Sequence, residues 1–149
     1  MSLAVYLSGE IHTNWRELIM KRTAEMGLDI DFKHPILDHG LSDDCGAKLL
    51  GPEDKKFWHD HKGAKLNALR THNAIKNSDI IVVRFGDKYK QWNAAFEAGF
   101  AVASDIPLIV IHGEDHQHAL KEVDALAMVV LDEPEKVASA LSYVIKGQL

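Results

Sequence analysis

Apolar residues along the chain recur with two different periods. The runs LAVYLS (Leu3 to Ser8), IIVVRF (Ile80 to Phe85), LIVI (Leu108 to Ile111) and AMVVL (Ala127 to Leu131) are continuous and only a few residues long, as expected for strands buried on both faces of a parallel sheet. Leu28 to Lys33 (LDIDFK) instead alternates apolar with polar positions and reads as an outer strand. Helical spacing separates these runs. Asn14 with Glu17 has capping-box spacing and opens a helix to about Met26, stopped by Gly27. Further helices are predicted over Lys65 to Lys76, from about Gln91 to Ala103, from the polar run at His112 to about Leu126, and from Pro134 to Ile145. The segment 34–62 is broken by Pro35, Gly40, Gly46, Gly51 and Pro52 and is predicted to be a long loop.

Five strands alternating with helices predict a flavodoxin-like doubly wound α/β sheet, all parallel, in the order 2-1-3-4-5 with helices on both faces. The 149 residues suffice for one domain, 1–149, with a substantial core. In this topology strands one and three are central, and the crevice at their carboxyl ends brings Tyr6 to Thr13 opposite Arg84 to Glu97.

One residue departs from its surroundings. From Ala94 to Ala103 every residue is apolar or Gly except Glu97, so the helix is expected to be covered on most sides. A carboxylate there is expensive unless paired or used. Two explanations stand: favourable placement within about two turns of a helix N-terminus, or service as a nucleophile or base at a ligand crevice. The loop Gly9 to Asn14 delivers hydroxyl, amide and backbone donors to another helix N-terminus, which suits ordinary capping and also a phosphate or sugar oxygen, with Arg16 nearby. Trp92 and Tyr89 either stack on a flat ring such as a nucleobase or join the core or a subunit contact.

Composition removes several function classes. With 17 Lys and Arg against 22 Asp and Glu, a net charge of −5 and no basic block, the chain has no electrostatic footprint for nucleic acid. No apolar run approaches the length of a membrane span. The single Cys45 excludes an intrachain disulfide and Cys-based zinc clusters and favours a reducing, cytoplasmic setting. Of nine histidines, the clusters His59 with His61 and His112 with His116 and His118 fall in polar connections without an HExxH or Cys pattern, so no metal is expected, and no cofactor either. A GxSxG elbow is absent as well.

YLSG after the first strand, SDIIVVRFG, the helix containing EAGFA and the strand IPLIVI together resemble the nucleoside 2-deoxyribosyltransferase superfamily. YLSGEIHTNWRE, SDDCG and FGDKYKQWNAAFEAGFA resemble its YtoQ branch over nearly the full chain. The resemblance implies that Glu97 attacks the anomeric carbon of a sugar and displaces a base, with a second base or water releasing the sugar. It implies that Tyr6 orients the nucleophile and that Gly9 forms the turn by which backbone approaches ligand. Ser8, Gly9, His12 and Asn14 on one side, and Gly86, Trp92 and Asn93 on the other, are then the expected substrate contacts. Two family acids are missing: Phe85 stands in the strand-end L-D-G pattern, and Gln91-Trp92-Asn93-Ala94 replaces D-S-G-T. Protonation of the leaving base falls to Asp87, or to Asp43 or Asp44 of the long segment. The expected ligand is a nucleoside or nucleotide, on an enzyme or on a binding or regulatory module that has lost catalysis. The apolar helix around Glu97 predicts a homodimer or higher homo-oligomer.

Overall fold

The computed structural model describes residues 2–149. Its strands are β1 (Leu3–Gly9), β2 (Ile30–Lys33), β3 (Ile80–Arg84), β4 (Leu108–Ile111) and β5 (Val129–Leu131), all parallel in the order β2-β1-β3-β4-β5. The helices are α1 (Trp15–Glu25), α2 (His39–Leu50), α3 (Lys56–Lys76), α4 (Trp92–Ala103), α5 (Lys121–Leu126) and α6 (Pro134–Lys146), with a short 3₁₀ turn at Glu114–His116. The expected topology is therefore present, including the switch point between β1 and β3.

Alternation along the three inner strands divides the core. Val5, Leu7, Ile80, Val82, Ile109 and Ile111 point to one face, where Trp15 and Ile19 of α1 and Val137 and Leu141 of α6 cover them. Tyr6, Ile81, Val83, Leu108 and Val110 point to the other, under Ile75 of α3 and Ala94, Ala98 and Ala101 of α4. Side chains alternate along a strand, so Ser8 shares Tyr6's face and is directed toward α4. The three alanines lie at i, i+4 and i+7, and their small size allows α4 to pack close to the sheet.

Two local expectations change. Residues 34–62 are not one long loop, for most of them are helical: α2 occupies the middle, and α3 begins at Lys56 instead of Lys65. Gly46, which read as a breaker, meets Gly63 at the crossing point of these two helices. A Cβ on Gly46 would lie 2.6 Å from the Gly63 nitrogen, so glycine here serves close packing. Asp38 caps α2 by accepting from Leu41 N at 2.9 Å. The second change concerns α4, whose outer side is open: Trp92 is 77% exposed and Phe96 61%.

Candidate active site

The carboxyl ends of β1 and β3 and the α2–α3 hairpin surround a cavity of about 1130 Å³. Its wall includes Gly9, Glu10 and His12 after β1, Asp43 of α2, Asp60, Asn67, Arg70 and Thr71 of α3, and Trp92, Asn93 and Glu97 of α4. This is the edge at which open α/β sheets bind ligands, and the volume accommodates a nucleoside monophosphate.

Glu97 lies in the second turn of α4, half-buried, on the side next to Ala94 and Ala98. Ser8, buried at the end of β1, donates its hydroxyl to Glu97 Oε2. Burial pushes the Glu97 carboxyl above the usual range, and the Ser8 hydroxyl and the Arg16 charge offset only part of that effect. Tyr6 is wholly buried beneath the same site. Burial and the nearby Glu97 push its phenol up to about 12, so the ring stays protonated, and its hydroxyl makes no hydrogen bond of ordinary geometry.

A second carboxylate, Glu10, lines the cavity in the opposite electrostatic condition. Only 4% exposed, it accepts from His12 N, from Thr13 N at 2.7 Å and from Thr13 Oγ1 at 2.5 Å, and it lies 3.6 Å from Arg84 Nε. Burial alone would raise its pKa, but these donors and the Arg84 charge outweigh it and hold the carboxyl below its usual range. Glu10 thereby ties down the loop that leads into α1, while Asn14, expected to cap that helix, has an exposed side chain that caps nothing. The amides of His12 and Thr13 are thus spent within the loop.

Gly9 has φ +109°, and a Cβ there would collide with the Arg84 carbonyl oxygen, so only glycine fits this turn. Arg16 is not a phosphate ligand: it is buried and its donors go to main-chain carbonyls, Nε to Leu7 O at 3.1 Å, Nη1 to Glu10 O at 2.6 Å and Nη2 to Gly9 O at 3.1 Å. Across the cavity mouth His12 packs on Tyr89 with ring centroids 4.5 Å apart and stacks on His39 at 6.0 Å.

Of the residues expected at the site, Gly9, His12, Asp43, Trp92, Asn93 and Glu97 line the cavity, and Ser8 and Tyr6 support Glu97 from β1. The remaining four lie elsewhere. Asp87 is 79% exposed, outside the wall, and 3.8 Å from His116 Nε2. Asp44 faces His59 Nε2 at 3.3 Å between α2 and α3. Asn14 is on the surface. Gly86 is buried behind the wall, its carbonyl 2.9 Å from His116 Nε2, and a Cβ on it would collide with Glu10 Cγ. Sequence reasoning missed Glu10 and the three cavity cations Lys56, Arg70 and Lys90. The signal for Glu10 was its place directly after the strand-ending glycine. No group of three or more His, Cys, Asp or Glu among the described residues is arranged to hold a metal ion.

The family described as Nucleoside 2-deoxyribosyltransferase YtoQ matches residues 6–145. The uncharacterized protein YtoQ of Bacillus subtilis (strain 168) is 38% identical over 148 residues, covering 99% of this chain and 100% of that protein. Among solved structures, a conserved protein from Enterococcus faecalis V583 superposes with a TM-score of 0.64 at 16% identity, covering 97% of this chain and 99% of that one. A CMP N-glycosidase of Clostridium botulinum gives a TM-score of 0.50 at 16% identity, covering 93% and 98% respectively. Those two structural likenesses concern the fold. The sequence match is of another order, since the family spans residues 6–145 and the relative covers nearly the whole chain: the chain belongs to the YtoQ family of nucleoside 2-deoxyribosyltransferase-like proteins.

Proposed function

We propose that the protein cleaves the N-glycosidic bond of a nucleoside or nucleotide, with Glu97 as nucleophile. The observation that carries this reading is a half-buried carboxylate, oriented by Ser8, on the wall of a cavity large enough for the substrate. A Glu97 carboxylate oxygen forms the bond to the anomeric carbon as the carbon–nitrogen bond breaks, and the bonding pair leaves with the base. An acceptor base or water then attacks the same carbon and frees Glu97.

The departing base requires a proton. Asp87 is exposed outside the cavity, so we assign this role to Asp43, a carboxylate on the α2 side of the wall. Trp92 and the His12–Tyr89 pair offer flat surfaces for the base. Lys56, Arg70 and Lys90 supply positive charge for a 5′-phosphate, in keeping with the CMP N-glycosidase that shares the fold. The open apolar side of α4, with Trp92 and Phe96, supports self-association, which sedimentation velocity reads directly. No described helix is long and apolar enough to cross a membrane.

The test is chromatography of the protein incubated with nucleosides, 2′-deoxynucleosides and their 5′-monophosphates, with and without a free acceptor base. Free base released by the unsubstituted protein and absent with Glu97→Gln is the expected result. Dependence on acceptor identifies a transferase, and release in its absence a hydrolase. Tight binding across the panel without product would overturn the catalytic reading in favour of a binding module.

A further inference from the structure

Arg16 is the buried charge that the proposed reaction leaves unexplained. Its guanidinium is 1% exposed, lies 4.5 Å from the centroid of the Trp15 ring, and forms no ion pair among the described residues. Burial pulls its pKa down to about 10, offset in part by the surrounding carboxylates Glu10, Glu17 and Glu97, so it stays protonated at neutral pH. A buried cation with only neutral partners is costly, and an apolar residue of similar size would fill the space at less expense.

Its three bonds indicate what it does. Nε holds Leu7 O at 3.1 Å and Nη2 holds Gly9 O at 3.1 Å, the carbonyls on either side of Ser8, while Nη1 holds Glu10 O at 2.6 Å. The planar fork therefore clamps the main chain at the end of β1, and a planar, fixed set of donors does this as lysine's single ammonium does not. The residue in the middle of the clamp is the one whose hydroxyl donates to Glu97. Gly9, at φ +109°, is the turn that would otherwise let this segment drift.

We propose that Arg16 is the positioning residue for the Ser8–Glu97 pair: by bracketing Ser8 through the carbonyls of Leu7 and Gly9, it fixes the hydroxyl that orients the Glu97 carboxylate. Its meaning for turnover rests on Glu97 being the nucleophile. The positioning itself is readable without any substrate.

The experiment is a carbon-13 NMR titration of the Glu97 side-chain carboxyl, assigned by its absence in Glu97→Gln, in the parent, Arg16→Lys, Ser8→Ala and the double variant. Removing a hydrogen bond to the ionised form raises the midpoint, and about one pH unit, a tenfold loss of the ionised fraction at pH below both midpoints, is the expected size for Ser8→Ala. Arg16→Lys retains the charge and loses the fork, so it is expected to raise the midpoint similarly, and the double variant to match either single change. A midpoint in Arg16→Lys within a few tenths of the parent, or a double variant equal to the sum of the two, would overturn the proposal. Should Arg16→Lys fail to fold, the Arg16 Nε–H resonance is followed instead in the parent and Ser8→Ala. Movement at the Glu97 midpoint that shrinks in Ser8→Ala supports the clamp, and movement of equal size in both contradicts it. Absence of turnover would count against Glu97 as nucleophile and leave this titration unaffected.

Discussion

The two faces of the sheet are packed by opposite means. On one, Trp15, Ile19, Val137 and Leu141 fill the space above the strands with large side chains, and the buried charge beside them, Arg16 against the Trp15 ring, donates to main-chain carbonyls. On the other, α4 presents Ala94, Ala98 and Ala101, and the room left beside these small residues is where Glu97, Ser8 and the cavity lie. Fully burying a large aliphatic side chain contributes about 1.5–3 kcal/mol, so the first face supplies stability that the second gives up to hold a carboxylate out of water. The chain thus separates anchoring from chemistry across one sheet, and substitutions on the two faces have different consequences.

The largest effect is expected on the anchoring face. Trp15→Ala removes a buried indole and its bond to Glu10 O, 2.7 Å long, and is expected to cost about 3–5 kcal/mol in denaturant unfolding. If it costs less than 1 kcal/mol, the division of labour is wrong. Next, Ala98→Leu overpacks the close contact of α4 with the sheet. We expect a loss of about 1–3 kcal/mol together with a displaced Glu97 midpoint, because the helix must move away from Ser8.

A smaller effect, opposite in sign, is expected at Glu97. Its folded pKa is raised above the unfolded value, so the folded state holds the proton longer and stability falls as pH rises from the unfolded pKa through the folded one. Glu97→Gln is therefore expected to be more stable than the parent at neutral pH, with the difference vanishing below the unfolded carboxylate pKa, about 4. Parallel stability profiles across that range would contradict the burial argument. Glu10 carries the reverse sign, as its depressed pKa contributes stability above its unfolded value that is lost on acidification. The smallest effect is expected on the hairpin's exposed surface, where Trp58→Ser should lie within about 0.5 kcal/mol of the parent.

How much of this was legible in the sequence follows from which interactions are local. Continuous runs such as Ile80–Val83 expose their burial directly, so the strands and their order could be read. Glu97 stood out because everything around it is apolar. The α2–α3 hairpin was hidden because Gly46 is a breaker in isolation and a close-packing residue only once the helices cross at Gly63. Asn14 had the spacing of a cap but caps nothing, and the preceding loop is instead held by Glu10, which accepts from the amides of His12 and Thr13. Arg16, beside that loop, looked available to phosphate until its donors were found on three carbonyls. The outward direction of Asp87 depends on the loop after β3 and the packing of His116, which no spacing records.

The most direct test of the central claim is intact-protein and peptide mass spectrometry after incubation with 2-deoxy-2-fluoroarabinosyl nucleosides and their 5′-phosphates, which slow release of a covalent sugar. The account predicts one sugar-sized adduct on the α4 peptide at Glu97, lost in Glu97→Gln. Base release by the unsubstituted protein with no adduct, or with an adduct at another residue, would contradict it.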